Sequence, residues 1–161
     1  MKFDLTQDFD ASAASVIAVY CDPDFYPALD GIGKIGDPSV LSRDERGDQV
    51  VMRVRFRFTG DLPSAALAIV RPERLTWVEE TTYDLGKLTA RSEIQPDHYA
   101  DRLQASATSH FADHHGGSTR AVSGELKVRA LLVGGQVEKA IVSGMREHFV
   151  DEERVVATRL P

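Results

Sequence analysis

The sequence contains one cysteine and no asparagine among its 161 residues, and the first of these shortages limits how the fold is held together. With Cys21 alone the chain cannot form an internal disulfide, so its stability has to come from packing. We expect Cys21 to be a small buried hydrophobic residue rather than a reactive thiol. The missing asparagine and the excess of arginine over lysine are typical of a GC-rich genome.

The sequence also lacks a long apolar run and a positive net charge. No stretch approaches the ~20 apolar residues of a membrane-spanning helix, and the acidic start of the chain lacks the apolar segment of a signal peptide. The formal charge of −6 opposes binding to nucleic acid or to an anionic membrane surface. We therefore expect a cytoplasmic protein without membrane insertion or nucleic-acid binding, present as a monomer or a weak homodimer.

What the sequence does contain suits one domain over residues 1–161. Hydrophobic residues make up 42% of the chain and charged residues 27%, proportions that are typical of globular proteins. A chain of this length buries about two-thirds of its unfolded surface, so we expect a core of ordinary size.

Periodic patterns predict a strand, two short helices, six strands and a long helix. Lys2 to Phe9 alternates as a half-buried strand, Ser12 can cap a helix over Ala13 to Tyr20, and Asp22-Pro23 can begin a second short helix. Short glycine-containing turns connect six antiparallel strands near Pro38 to Asp44, Gln49 to Thr59, Arg74 to Asp84, Lys87 to Gln95, Asp101 to Ala112 and Thr119 to Ala130. The segment Gly60 to Pro72 is compatible with a lid, a short helix or an edge strand.

The predicted sheet has one apolar face, most clearly in the strand over Val50 to Phe58. Four apolar side chains share one face of this strand: Met52, Val54, Phe56 and Phe58. Three basic side chains share the other face: Arg53, Arg55 and Arg57. We expect the apolar face to look inward and the arginines to pair with acids on a neighbouring strand.

The last segment has a helical period from Gly134 to about Thr158, and its apolar stripe suits the inner face of the sheet. His148 falls at the centre of this stripe. Gly144, one turn earlier, is expected to leave space beside it, and Glu152, one turn later, can hold the imidazole. His148 is then either a core histidine bonded to a strand residue or a polar group in a cavity.

Glu79 is a second candidate polar group for the interior. It shares a strand face with Trp77 and Tyr83, so inward aromatic rings bring its carboxyl group into the cavity, where burial raises the pKa of the carboxyl. Together with His148 it forms a hypothetical pair for general acid/base catalysis. The alternative is a glutamate at the rim of the sheet, paired with water or arginine.

Two other patterns have ordinary explanations. Residues 31–36 read G-x-G-x-x-G, but they follow a predicted helix and lead into a strand, whereas a dinucleotide loop follows a strand and begins a helix. His114 and His115 lie in a glycine-rich turn without the partner ligands of a closed metal site, and His98 and His110 do not complete one. We expect neither a metal nor another cofactor.

The order of elements resembles the helix-grip fold of the START-like superfamily (SRPBCC), which includes polyketide cyclases and Bet v-like plant pathogenesis-related proteins. More narrowly, the chain resembles an uncharacterised actinobacterial family within that superfamily. The resemblance rests on residues 1–5 (MKFDL), 55–62 (RFRFTGDL), 96–103 (PDHYADRL) and 132–135 (LVGG) followed by Glu138. It implies an α+β fold, with a curved antiparallel sheet wrapped around the C-terminal helix and a cavity between them.

The leading functional hypothesis is therefore a binding protein for a hydrophobic or amphipathic small molecule of the lipid, polyketide or aromatic metabolite class. The predicted ligand-binding residues are Met52, Val54, Phe56, Phe58, Trp77, Tyr83, Gly144, Met145, His148 and Phe149. One alternative is a cyclase or aromatase that uses His148 and Glu79, although no catalytic residue is firmly assigned. The other is a module that binds a protein partner and no small ligand.

Overall fold

Seven strands form one antiparallel sheet in the computed structural model, which describes residues 1–68 and 70–161. The strands are β1 (Lys2–Phe9), β2 (Ile35–Arg46), β3 (Gln49–Phe58), β4 (Thr76–Asp84), β5 (Thr89–Pro96), β6 (Leu103–His114) and β7 (Gly117–Val128). Their order across the sheet is β1-β7-β6-β5-β4-β3-β2. Strands β2 to β7 follow one another as a meander, and β1 joins the row by pairing with β7.

The three helices that the sequence predicts lie at the predicted places in the chain, and two further short helical segments lie between β3 and β4. They are α1 (Ala13–Tyr20), a 3₁₀ helix (Pro23–Leu29), α2 (Ser64–Leu67), a 3₁₀ turn (Pro72–Arg74) and α3 (Gly134–Ala157). Ser12 caps α1 by accepting from the Ser15 amide at 3.2 Å. The expected α+β helix-grip architecture is confirmed. Within the described residues, each helix is too short or too polar to span a bilayer.

The main difference from the predicted boundaries is the start of β2. The strand begins at Ile35 rather than Pro38, and its pairing with β3 shifts in register between Gly36 and Ser39. Pro38 is tolerated inside the strand because it lies in this irregular stretch, where Asp37 has a φ of 57°. The other strand ends lie within two residues of the predicted positions.

The segment left open between Gly60 and Pro72 contains α2, so the short-helix alternative describes it. Ile69, which belongs to this segment, lies outside the described residues. The prolines at both ends have local roles, since Pro63 precedes the first turn of α2 and Pro72 begins the 3₁₀ turn before β4.

The predicted two-faced sheet is present. Met52, Val54 and the two phenylalanines of β3 are buried on the inner face, each at most 6% exposed. On the outer face, Arg53 Nε lies 3.3 Å from Glu80 of β4. Arg55 Nη2 lies 3.0 Å from Asp97, just after β5. The Arg53 contact is the expected pairing with an acid of a neighbouring strand, whereas Arg55 reaches an acid that follows the next strand but one.

The interior divides into two apolar clusters on either side of a polar region. One cluster joins α1 and the first 3₁₀ helix to the inner face of β3, with Phe25, Ile17 and Met52 at its centre. The other joins β1, β6 and β7 to α3, around Leu126 and Val142. The candidate site lies where these clusters meet beneath α3.

Candidate functional site

An internal cavity of about 110 Å³ lies between the sheet and α3. Every strand, α1, the first 3₁₀ helix and α3 contribute to its wall. Its apolar lining includes Phe3, Phe25, Leu29, Ile35, Phe56, Ile94, Val122, Met145 and Phe149. Its polar lining includes Tyr20, Tyr26, Glu79, Tyr83, Ser92, Ser109, Arg120, His148 and Glu152.

A second cavity of about 80 Å³ adjoins the first and is almost entirely apolar. Ile35, Glu79, Ile94, Ala105 and Met145 line both spaces, so these five side chains form the boundary between them. Typical ligand sites occupy about 300 to 1,000 Å³. An engineered apolar cavity of about 150 Å³ nevertheless takes up benzene, so the two adjoining spaces together are large enough for a ring-sized molecule.

The predicted wall residues separate into three groups. Five line the larger cavity: Phe56, Tyr83, Met145, His148 and Phe149. Phe58 and Trp77 line the smaller cavity, as Met145 also does. Met52, Val54 and Gly144 line neither space.

The prediction that Gly144 leaves a gap beside His148 is wrong. A Cβ atom at this position would lie 3.0 Å from Phe58 Cε2 and 3.1 Å from Lys34 Cβ, so other side chains already occupy the space. Gly144 instead allows α3 to approach the β2–β3 end of the sheet closely. Met52 and Val54 are packed in the core cluster that also contains residues of α1 and the first 3₁₀ helix, and they do not line the cavity.

The main polar feature of the cavity wall is an arginine that the sequence reasoning missed. Arg120 of β7 is 8% exposed, and its Nη1 donates to Glu152 Oε1 at 2.8 Å and to Gln7 Oε1 at 3.0 Å. Its Nε donates to Ser109 Oγ at 3.4 Å. The guanidinium therefore links β1, β6, β7 and α3 in the middle of the molecule.

Aromatic rings surround the same guanidinium. Arg120 Cζ lies 4.3 Å from the ring centre of Tyr20, 5.1 Å from that of Phe149 and 5.7 Å from that of Phe111. A cation at these distances from ring faces is attracted by their quadrupoles, more strongly when water is excluded. The rings thus hold the orientation of the group as well as covering it.

Glu152 is the anion that balances Arg120. Besides the bond from Arg120, its Oε1 accepts from the Tyr20 hydroxyl at 2.7 Å and from Gln7 Nε2 at 3.3 Å. Burial alone would raise the pKa of Glu152, but the His148 hydrogen bond, the charge of Arg120 and the Tyr20 hydroxyl lower it to about 2. Glu152 is therefore ionised at neutral pH.

His148 contacts Glu152 as predicted. Its Nε2 lies 3.4 Å from Glu152 Oε2, one turn along α3, and its Nδ1 lies 3.4 Å from the Ile32 carbonyl oxygen. The residue is 4% exposed and lines the larger cavity. Burial would lower the pKa of His148, but the hydrogen bond and charge of Glu152 outweigh this effect and raise it. His148 is therefore a buried histidine held by a backbone carbonyl and a carboxylate, and it is also a polar group in the cavity wall. Each of the two sequence interpretations describes part of this arrangement.

Glu79 also faces the cavity rather than the rim of the sheet. Its Oε1 accepts from Thr81 Oγ1 at 3.2 Å, and Thr81 is itself 2.7 Å from Ser92 Oγ. Burial raises the pKa of Glu79, while the charge of Arg120 partly opposes this and that of Glu152 reinforces it. The structure thus brings Glu79 and His148 to one cavity, with Arg120 and Glu152 in the same wall.

Two tyrosine hydroxyls complete the polar wall. Tyr26 donates to the carbonyl oxygen of Tyr20 at 2.8 Å, and its hydroxyl oxygen lies 3.5 Å from that of Tyr83. Burial raises the pKa of Tyr83, which lies on β4 four residues after Glu79. The hydroxyls stay protonated at neutral pH and act as neutral hydrogen-bonding groups.

The glycines of the G-x-G-x-x-G pattern and the four histidines outside α3 do not line either of the two adjoining cavities. Gly33 has a φ of 55°, and a Cβ there would lie 2.6 Å from His148 Cα, so the residue brings its loop against α3. His98, His110, His114 and His115 are exposed. Among the residues that the structure describes, no three His, Cys, Asp or Glu side chains are grouped as metal ligands.

The signal for the missed residues lies in the alternation of the strands. Gln7 shares the inner face of β1 with Phe3, Leu5 and Phe9. Arg120 precedes Val122 by two residues on β7 and so shares its inward face. A polar residue in an inward register can be identified in this way, whereas its partners across the interior depend on the tertiary fold.

Comparison with solved structures places this architecture in a known fold class. The chain is similar to the Zhui aromatase/cyclase of Streptomyces sp. R1128, at 14% identity and a TM-score of 0.68 over 99% of this chain and 92% of that one. It is similar to a START superfamily protein of Mycobacterium smegmatis, at 16% identity and a TM-score of 0.57 over 99% and 96%. It also resembles the norcoclaurine synthase of Thalictrum flavum solved with dopamine and hydroxybenzaldehyde, at 17% identity and a TM-score of 0.65 over 99% and 87%.

These likenesses define a START-like fold and leave the chemistry open, because the identities are low. Residues 4–160 match the family described as "Protein of unknown function (DUF2505)", and the chain belongs to that family. None of the curated proteins matches the sequence significantly.

Proposed function

We propose that the chain acts as a single START-like domain that binds a small molecule with a ring-sized apolar body between its sheet and α3. The observation that supports this proposal is the pair of adjoining cavities, with apolar walls and a polar group of buried side chains at one side. Filling such spaces with side chains would stabilise the fold, so a void lined by charged residues suits a binding role better than a structural one.

The cavity size favours an aromatic metabolite within the predicted ligand classes. Spaces of about 110 and 80 Å³ suit one or two rings, whereas a long acyl chain would require the walls to move. Two of the similar structures are an aromatase/cyclase and a norcoclaurine synthase that holds dopamine and hydroxybenzaldehyde, which agrees with this size.

Ligand-observed NMR tests the proposal directly. The purified protein is mixed with a panel of one-ring and two-ring aromatic compounds and, separately, with a metabolite extract analysed by native mass spectrometry. We expect at least one ring compound to bind with a stoichiometry of one. If neither experiment detects a retained compound, the protein is not a binding protein of this kind.

An enzymatic role is the second candidate, because Glu79 and His148 line the same cavity. The ionised carboxylate of Glu79, whose pKa is raised, can take a proton from the carbon next to a bound carbonyl group, while the charged imidazole of His148 donates a proton to the carbonyl oxygen. Exchange of the hydrogens next to a carbonyl group for deuterium, lost in Glu79→Gln, would favour this candidate. Binding without exchange or conversion would favour the binding protein.

A further inference from the structure

The guanidinium of Arg120 has one amino group left for a ligand. Nε donates to Ser109, and Nη1 donates to both Gln7 and Glu152. Nη2 makes no hydrogen bond with any part of the chain that the structure describes, although the residue lines the cavity and is 8% exposed. Arg120 Nη2 is not among the fully buried unpaired atoms of the described residues, so it has surface on the cavity, where a charge-assisted hydrogen bond stabilises an acceptor oxygen.

The arginine cannot turn this donor elsewhere. The rings of Tyr20, Phe149 and Phe111 lie 4.3, 5.1 and 5.7 Å from Cζ, and the other two nitrogens are bonded to three side chains. A group fixed in this way is preorganised, which lowers the entropic cost of binding a ligand oxygen.

The charge balance around the cavity favours an anion. The ionisable groups that face Arg120 are Tyr20 on α1, Tyr26 on the first 3₁₀ helix, Glu79 and Tyr83 on β4, and His148 and Glu152 on α3. The tyrosines are neutral, and Glu152 cancels the charge of Arg120. Glu79 tends toward its neutral form and His148 toward its charged form, so one further negative charge is better tolerated than a positive one.

From this arrangement we propose that the ligand is a small acid whose carboxylate accepts hydrogen bonds from Nη2 of Arg120 while its apolar body fills the adjoining cavities. This inference rests on the proposed binding function and specifies its ligand class. The Tyr83 hydroxyl, whose one hydrogen bond among the described side chains is with the Tyr26 hydroxyl at 3.5 Å, is a further donor for the second carboxylate oxygen.

Three compounds with one skeleton test the carboxylate without altering the protein. They are 3-phenylpropanoate, 3-phenylpropanamide and 3-phenylpropan-1-amine, titrated by calorimetry at pH 6.5. We expect the acid to bind at least tenfold more tightly than the amide, and the amine to bind most weakly.

A double variant then tests Arg120 itself. Arg120→Gln alone would leave Glu152 buried without its counter-charge and endanger folding. Arg120→Gln combined with Glu152→Gln removes both charges, and we expect it to bind the acid and the amide within twofold of each other. The matched control is Arg53→Gln on the outer face of the sheet, which should keep the full preference for the acid.

The outcomes separate the ligand class from the binding function. Equal binding of acid and amide by the unaltered protein, or a preference for the amine, overturns the acid ligand and leaves the binding function intact. A preference for the acid that persists in a folded double variant overturns the role of Arg120. If none of the three compounds binds and the broader aromatic panel also fails, both the ligand class and the binding function are wrong.

Discussion

At the scale of single residues, the buried carboxylate of Glu152 has the largest expected effect on stability. Glu152→Gln keeps the shape of the side chain but leaves Arg120 and His148 without an anion in a region that excludes water. Breaking a buried ion pair costs about 3–5 kcal/mol, and we expect the unfolding free energy in urea to fall by that amount.

The matched control is Glu147→Gln on the same helix. Glu147 pairs with Lys34 at 3.3 Å, but its side chain is 49% exposed, so this change should cost less than about 1 kcal/mol. Equal effects of the two substitutions would show that Arg120 does not depend on Glu152 for its charge balance.

His148 should make the stability depend on pH near neutrality. Its pKa in the folded protein is raised above the unfolded value of about 6.5, so it stabilises the fold fully below that pH. This contribution is lost as the pH rises through the folded pKa. We expect unfolding free energies measured between pH 5.5 and 8.5 to decline with pH, and the decline to be shallower in His148→Gln.

Glu79 provides the internal comparison for this experiment. Its raised pKa also makes the folded state less stable as the pH rises, but from about 4.3 upward. A remaining slope in the His148 variant at lower pH is therefore expected. An unchanged slope between pH 6.5 and 8.5 would mean that His148 does not carry the proton assigned to it.

The sequence predicted only some of the buried ionisable residues of the cavity. The helical period correctly placed His148 and Glu152 together, whereas strand alternation left an inward Glu79 and a Glu79 at the rim of the sheet as alternatives, of which the folded chain has the inward one. Arg120 was overlooked, because a charged residue at one inward position has no visible partner in a linear sequence. Its partners lie on β1, β6 and α3 and come together only in the folded chain.

At the scale of elements, the loop before β2, which contains Gly31 and Gly33, contacts α3 at His148 and helps to position that residue. Gly33 and Gly31 both have positive φ, 55° and 76°, so alanine causes similar backbone strain at each. A Cβ at Gly33 would meet the His148 backbone at 2.6 to 2.8 Å, whereas a Cβ at Gly31 would meet nothing within 4 Å.

We therefore expect Gly33→Ala to be more destabilising than Gly31→Ala by about 1–3 kcal/mol, the usual cost of overpacking. Thermal and urea unfolding of the two variants measure the difference, in which the shared backbone strain cancels. The variant at Gly33 should also weaken binding of a ring compound, because α3 has to move at His148. Equal stabilities would indicate that the loop yields without disturbing α3.

The order of elements was predictable because local signals mark each of them. Capping by Ser12, the Asp22-Pro23 start and the glycine turns of the hairpins all act within a few residues. The early start of β2 was not predictable in this way, since Pro38 normally excludes a regular strand and is accommodated here by a register shift. The pairing of β1 with β7 likewise depends on residues more than 100 positions apart.

At the scale of the whole molecule, the net charge of −6 conceals an interior with a buried cation. Totals describe the outer surface, where most charged residues lie, so they constrain bulk interactions and not the ligand. The existence of a cavity was open from the sequence for the same reason, because small inward residues fit both close packing and a void. Ala105 is one such residue, and in the folded chain it borders both cavities.

Ala105→Leu should convert the binding space into core. The added isopropyl group extends from β6 into the boundary between the two cavities, so we expect the unfolding free energy to rise by about 0.5–2 kcal/mol. Binding of 3-phenylpropanoate, measured by calorimetry, should weaken at least tenfold in the same variant.

Thr108→Leu on the outer face of the same strand should alter neither the unfolding free energy nor the affinity. A folded Ala105→Leu protein with unchanged affinity would place the ligand outside these cavities, and a loss of stability would show that the space cannot accept a side chain. A gain in stability accompanied by a loss of binding would show that the fold keeps this volume open at a cost to its own stability, as expected for a site that serves a ligand.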